Sequence, residues 1–338
     1  MKKNFFIGVD VSKYTLDVAY VERTDEGLSL PEWKQFNNSY TGIKEMKEWL
    51  LQKRITLDKR AIVVMENTGI YHRMLWNSLS QWNVDVCVEN AAHIKWSMGI
   101  VRGKSDRIDS RRLSIFAAQH SETLKPCTAT EKHIVKVKDL LTIRTNMIVH
   151  LKALTTSLNE LYRVVTKATQ KVIKQSTTEA VKGLEKSIKK VESQIKETIR
   201  EEEQINEMYK LITSVPGIGK VTAAYLISHT NMFSYCKSGK QLACYCGVVP
   251  FEYQSGSSIK GKNHVHKMAN KEIKRLLHLC ALSAIQHYKE FKTYYERKKQ
   301  EGKHVLSILN AIKNKLILRV FAVVRNKELY VDKSLSIG

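Results

Sequence analysis

Proline and glycine are scarce: 4 Pro and 15 Gly in 338 residues leave little room for long disordered linkers. With 43% hydrophobic residues the chain can bury substantial cores, and its length suits two or three domains. Long apolar runs are missing as well. No stretch approaches the roughly eighteen uninterrupted apolar residues of a membrane span. The opening segment MKKNFFIGVDVS breaks its apolar run at Asp10, too early for a secretory signal. The six cysteines (Cys87, Cys127, Cys236, Cys244, Cys246, Cys280) follow no repeating spacing, which argues against a disulfide framework. A reduced, cytoplasmic, nucleoid-associated protein is expected. Acidic residues are the last shortage: 33 Asp and Glu stand against 56 Lys and Arg, a formal charge of +23. Such an excess repels itself unless a polyanion neutralises it, and a phosphate backbone does so with entropic gain from released counterions. Nucleic acid is therefore the leading partner, with ribosome association or a merely basic surface as the alternatives that charge alone leaves open.

Residues 5–21 hold two strand-like runs around a polar break at Ser12 and Lys13, the pattern of a hairpin. A third run from Leu28 to Phe36, a helix over 41–53, the run AIVVME (61–66), a helix over 71–82 and VDVCVEN (84–90) follow. Strands in antiparallel order, then alternating with helices, predict an α/β mixed sheet over residues 1–125. From Thr130 to Leu211 the chain is rich in Lys and Glu and free of Pro, so region 126–211 is expected to be almost wholly helical. Within it Leu184, Ile188, Val191, Ile195 and Ile199 recur at coiled-coil spacing, forming a seam for a partner helix or for a helical hairpin folded on itself. Region 212–338 is expected to be mainly α. It opens with VPGIGKVTAAYLIS, a helix-hairpin-helix-like element whose turn would offer N–H groups to a phosphate, although the same letters also fit an ordinary turn.

Asp10 and Glu66 each end an apolar strand, where side chains enter an active-site crevice. Asp106 and Asp109, three apart in KSDRIDSRRLS, share one face of a predicted helix. Singly, each acid has a structural explanation as a cap, a dipole partner or half of a salt bridge. Together, four acids from three elements of a basic chain suit a cation such as Mg²⁺ or Mn²⁺, which takes oxygen ligands and clamps the oxygens of a phosphoryl transfer. The blocks D-V-S-K, M-E-N-T-G-I-Y-H and K-S-D-R-I-D resemble those of the DEDD transposases of the insertion-sequence one-ten family. That resemblance spans essentially the whole chain and implies a RuvC-like, ribonuclease H-like N-terminal domain. It assigns Asp10, Glu66, Asp106 and Asp109 as metal ligands. Asn67 and Ser105 depart from the pattern without touching a ligand.

The segment from Phe233 to Lys262 is similar to the second domain of the same family, through Ser238, Gln241, Leu242, Ala243, Gly247 and Pro250 followed by Ser255 and Gly256. The resemblance implies that Ser255 is a nucleophile on DNA. Spacing alone does not separate it from Ser257 and Ser258. A serine hydroxyl attacks phosphorus poorly until a base or metal activates it, and no Ser-His-Asp order surrounds Ser255, so the carboxylate metal site is the expected activator. Lys260, Lys262, Lys267, Lys271, Lys274 and Arg275 form a basic segment suited to nucleic acid, with His264 as a further phosphate contact. A zinc site from Cys244, Cys246, His264 and His266 is disfavoured because C-x-C and H-x-H lack finger spacing. Tyr245, Phe251 and Tyr253 suit base stacking or core packing. The family resemblance further implies donor and target DNA, a guiding bridge RNA and a homo-oligomer, dimer or tetramer. The rival enzyme is a RuvC-like nuclease or junction resolvase using water, and the non-catalytic rival is an architectural binder.

Overall fold

Ser12 turns the first hairpin: its Oγ accepts the N–H of Thr15 at 2.9 Å and of Tyr14 at 3.2 Å. The turn joins β1 (Phe5–Val11) to β2 (Thr15–Thr24), which pair antiparallel. In the computed structural model, residues 2–67, 69–97, 105–127, 131–234, 236–250, 254–255, 259–260, 265 and 269–331 are described, with the side chains of 254, 255, 259 and 260 excepted. The chain forms two compact units, residues 1–129 and 130–338.

In the first unit, β3 (Gly27–Leu28) and β4 (Glu32–Asn37) both pair with β2, while β5 (Ala61–Glu66) lies parallel to β1 and β6 (Asp85–Glu89) parallel to β5. The sheet order is β3-β2-β1-β5-β6, so the expected mixed sheet is present. Period-two alternation splits its two faces. Phe5, Ile7, Val9, Ala61, Val63 and Met65 face a core closed by α1 (Tyr40–Gln52) and α2 (Arg73–Leu79). Phe6, Ile62 and Val64 face a second core built with α3 (Ala91–Ser97) and α4 (Asp106–His120). The helix expected over 71–82 is shorter than its apolar pattern, and α3 was not expected.

Among the described residues, the regular structure of the second unit is helical apart from a ribbon of two-residue strands, β7 (Gln254–Ser255) with β8 (Ile259–Lys260). Two long helices, α5 (Lys132–Leu161) and α6 (Lys167–Glu201), run antiparallel, for His133 lies beside Glu201 and Arg144 pairs with Glu192 at 2.7 Å. Then come α7 (Glu203–Thr213), α8 (Lys220–His229), α9 (Gly239–Tyr245), α10 (Lys271–His287), α11 (Lys289–Gln300) and α12 (Val305–Asn326). One core joins Ile134, Val137, Leu141, Ile195 and Ile199 of the long helices to Leu226, Leu277 and Leu316. The helical middle thus shares its core with the C-terminal helices. The lower seam residues Ile195 and Ile199 are buried inside the chain, whereas Leu184 and Ile188 are half-buried.

Candidate active site

The parity that splits the sheet also aims the acids. Asp10 stands four residues after Phe6 and Glu66 two after Val64, so both carry on the alternation of the α4 face. The β1–β5 register pairs Val9 with Met65, which makes Asp10 and Glu66 successive neighbours at the carboxyl ends of parallel strands. Glu66 in turn lies opposite Glu89 of β6.

The other pair of acids arrives on α4. Ser105 caps this helix, its Oγ accepting the Ile108 N–H at 3.3 Å, and Asp106 and Asp109 fill the first turn, where the helix dipole favours negative charge. Gly8 determines how closely α4 lies on β1. A Cβ there would sit 2.3 Å from Ser114 N, 2.4 Å from Ser110 O and 2.6 Å from Leu113 Cβ. Gly8 is two residues before Asp10 on the same strand face, and Ser110 is one turn after Asp106. The contact that excludes a side chain at Gly8 therefore sets the start of α4 over Asp10. Sequence reasoning missed Gly8, since a glycine inside an apolar strand carries no chemistry of its own; its signal is the weakened strand interior that marks a close backbone approach.

The electrostatics of the site follow from this convergence. Burial, followed by the charges of Asp106, Asp109, Glu66 and Asp17, pushes the Asp10 carboxyl up to about 6. Asp17, unmentioned in the sequence reading, is opposite Asp10 on β2 and is only 2% exposed. It accepts Trp33 Nε1–H at 3.0 Å and Gln35 Nε2–H at 3.1 Å from β4, while Arg107 covers the Trp33 ring at 4.9 Å. Arg112 offsets part of the negative field through Asp109 at 3.0 Å. Four carboxylates around a position where ionisation is disfavoured form an all-oxygen donor set that suits a hard divalent cation, whose charge relieves their repulsion. No three of them bring their oxygens within 4.8 Å of one another; among the described residues that spacing is reached by Glu131, His133 and Glu202 in the second unit. There Glu131 is already committed, accepting the N–H groups of His133 and Ile134 as the cap of α5.

The remaining sequence-predicted residues lie in the second unit. Ser255 is in β7 with its backbone opposite Ile259, and Lys260 is in β8. Lys262, Lys267, His264, His266, Phe251, Tyr253, Ser257 and Ser258 lie outside the described residues. Lys271, Lys274 and Arg275 lie in the first two turns of α10, and Arg275 pairs with Glu272 at 2.6 Å. Cys246 is fully buried in the helical core, where burial pushes its thiol up, so it acts as a small apolar residue. Tyr245 donates its hydroxyl to His229 O at 3.0 Å, which fixes the ring beside α8.

Residues 7–167 match the family model for IS110-type DEDD transposases, and residues 209–296 match the one described as transposase IS116/IS110/IS902 family. The chain is 27% identical over 331 residues to the pilin gene-inverting protein of Moraxella bovis, covering 95% of each chain, and equally similar to that of Moraxella lacunata. An insertion element IS110 protein of 43.6 kDa from Streptomyces coelicolor is 30% identical over 139 residues, 39% of this chain and 34% of that one. A DEDD transposase works with a divalent metal ion on DNA, and the carboxylate cluster at the ends of β1 and β5 and the start of α4 falls inside the matched region. With a mixed sheet and a helix that bring four acids together, and with both family models matched in order, the chain belongs to the IS110 family of transposases and is a DNA recombinase.

Proposed function

We propose that the chain cuts and rejoins DNA through a transient phosphoserine at Ser255, with Mg²⁺ held by Asp10, Glu66, Asp106 and Asp109. The observation that carries the reading is the gathering of four carboxylates at a half-buried position, where burial and then the neighbouring acids push Asp10 up to about 6, since such a penalty suits a fold that uses a cation. When bound, the cation neutralises charge developing on the attacking and leaving oxygens of a phosphoryl transfer. Ser255 Oγ forms the new O–P bond as the bond to the departing sugar oxygen breaks, the serine proton passes to solvent, and the departing oxygen takes up a proton. The phosphodiester energy is kept in the protein–DNA bond, so rejoining needs no ATP. The relatives named as pilin gene-inverting proteins support a DNA-rearranging activity. The +23 charge supports a bridge RNA beside donor and target DNA, and the PGIG turn and Lys260–Arg275 segment supply phosphate contacts. Exposed Val149 and Val172 on the long helices support assembly of protomers along a coiled coil, in a cytoplasmic enzyme on the nucleoid.

A nicked or suicide substrate tests the serine. Wild-type protein is expected to give a covalent DNA adduct that maps to Ser255. Ser255→Ala abolishes the adduct and recombination while nucleic-acid binding persists; Ser257→Ala and Ser258→Ala keep both. If all three variants recombine, water attacks and the nuclease reading replaces this one.

A further inference from the structure

The second unit contains a cleft of about 860 Å³ between α5, α6, the turn before α8 and α10. Its size is within the range of pockets that take small organic groups, roughly 300–1,000 Å³. Its walls are apolar: Leu141, Ile195 and Leu276 are buried there, and Leu279 and Tyr209 also line it. Its rim is cationic, with Arg144, Lys189, Lys196, Lys220 and Arg275 against one carboxylate, Glu192, which Arg144 already engages. Arg275 is engaged by Glu272, while Lys189, Lys196 and Lys220 have no carboxylate partner among the described residues.

The floor of the cleft is closely packed. Gly217 takes φ +83°, and a Cβ there would meet Ala284 Cβ at 2.8 Å and Cys280 O at 3.0 Å, so the PGIG turn lies flush on α10. Thr222 Oγ1 and Cys280 Sγ lie 3.2 Å apart, and Tyr225 donates its hydroxyl to Leu141 O at 3.3 Å, tying α8 to α10 and α5. Gly219, the residue before α8, provides no side-chain cap, and a Cβ there would meet nothing within 4 Å. Gly219, Lys220, Val221 and Thr222 line the cleft together with Lys189 and Lys196, so the uncapped start of α8 and these lysines share one space.

Apolar walls with an aromatic ring, and a cationic rim around uncapped N–H groups, match the two halves of a nucleotide. The geometry points to a pocket for one unpaired nucleotide of a DNA or RNA strand, its base against Leu276, Leu279 and Tyr209 and its phosphate at Lys196, Lys220 and the start of α8. Single-stranded recognition elsewhere works through the same pairing of base stacking with phosphate contact. The inference rests on the nucleic-acid reading above and adds a site to it.

Gly219→Asp provides the test, because a structural role and a binding role make opposite demands on it. The backbone there, φ −83° and ψ 165°, is that of a helix cap with room for a side chain. Aspartate should therefore cap α8 and leave the melting temperature unchanged or raised, while its carboxylate occupies the phosphate position. Affinity is measured by fluorescence anisotropy for labelled duplexes that carry one unpaired nucleotide, the same duplexes with that nucleotide abasic, and fully paired controls, each as DNA and as RNA. Wild type is expected to prefer the unpaired nucleotide over the abasic site by about tenfold, within the range of base–aromatic stacking. Gly219→Asp and Lys220→Gln should erase that preference and flatten the salt dependence by about one phosphate contact each. The stronger of the DNA and RNA arms identifies the strand. Equal affinity for abasic and unpaired duplexes overturns the base pocket. Unchanged binding by Gly219→Asp, or a change only in its oligomeric mass, overturns the site while leaving the recombinase reading intact; wild type that binds none of the oligonucleotides sinks both.

Discussion

Asp10 pays an energetic penalty for its position, and the penalty predicts how the protein responds to pH. Its carboxyl titrates near 6 in the fold and near 3.9 in an unfolded chain. Between those values the folded protein holds a proton that the unfolded chain has released, so this group's contribution to stability falls as pH rises through the window. Above pH 6 the full penalty, about 3 kcal/mol, is present. Asp10→Asn should therefore raise the melting temperature of metal-free protein at pH 7.5 by several degrees, with the gain vanishing towards pH 4, as read by calorimetry. A lower melting temperature at pH 7.5 would mean that burial and the neighbouring acids place no such penalty on the Asp10 carboxylate. Gly8 poses the complementary case, because its contacts at 2.3–2.6 Å are with backbone and a Cβ that cannot yield without moving α4. Gly8→Ala should cost about 2 kcal/mol or more by overpacking and reduce recombination at least tenfold even where the protein stays folded. Wild-type activity in a folded Gly8→Ala protein would show that α4 does not need its seat on β1.

The elements were legible in proportion to how strongly their pattern repeats. Strands β1, β2, β5 and β6, helix α1 and the long helices follow from apolar runs and from a Pro-free, Lys- and Glu-rich stretch. Asp10 and Glu66 stood out as candidates by ending apolar runs and Asp106 and Asp109 by their spacing, but it was the family resemblance that singled out the four together. The shared face of Asp10 and Glu66 was not visible. FFIGV and AIVVM are apolar at every position, as strands buried on both faces are, so the sequence carries no alternation from which to read their parity. The docking of α4 at Gly8 and the caging of Asp17 by Trp33 and Gln35 are contacts distant in sequence, which no local pattern encodes. The seam of α6 illustrates the same limit, since its spacing specified an apolar stripe but not its partner. Ile195 is 6% exposed in the core of its own chain, so Ile195→Lys should destabilise the second unit by about 3 kcal/mol or more in chemical denaturation. Val149, 58% exposed on α5, and Val172, 61% exposed on α6, are the most exposed large apolar residues of the two long helices. Val149→Lys and Val172→Lys should keep the melting temperature and lower the mass seen by light scattering. An unchanged mass for both would confine the helical pair to a role within one protomer.

At the scale of the molecule, a chain of charge +23 gathers four acids at the carboxyl ends of β1 and β5 and the start of α4. On the proposed reading, the positive field draws in a polyanion and the acids collect the cation needed to act on it. The direct test is Mn²⁺ titration by calorimetry, paired with Mg²⁺-dependent recombination, in wild type and in Asp10→Asn, Glu66→Gln, Asp106→Asn and Asp109→Asn. His133→Ala controls for the separate Glu131–His133–Glu202 cluster. Each of the four carboxylate variants should lose the same binding event and at least a hundredfold in recombination, with the folded state and nucleic-acid affinity retained, while His133→Ala keeps both. Wild-type recombination by purified Asp10→Asn in Mg²⁺ would contradict the account.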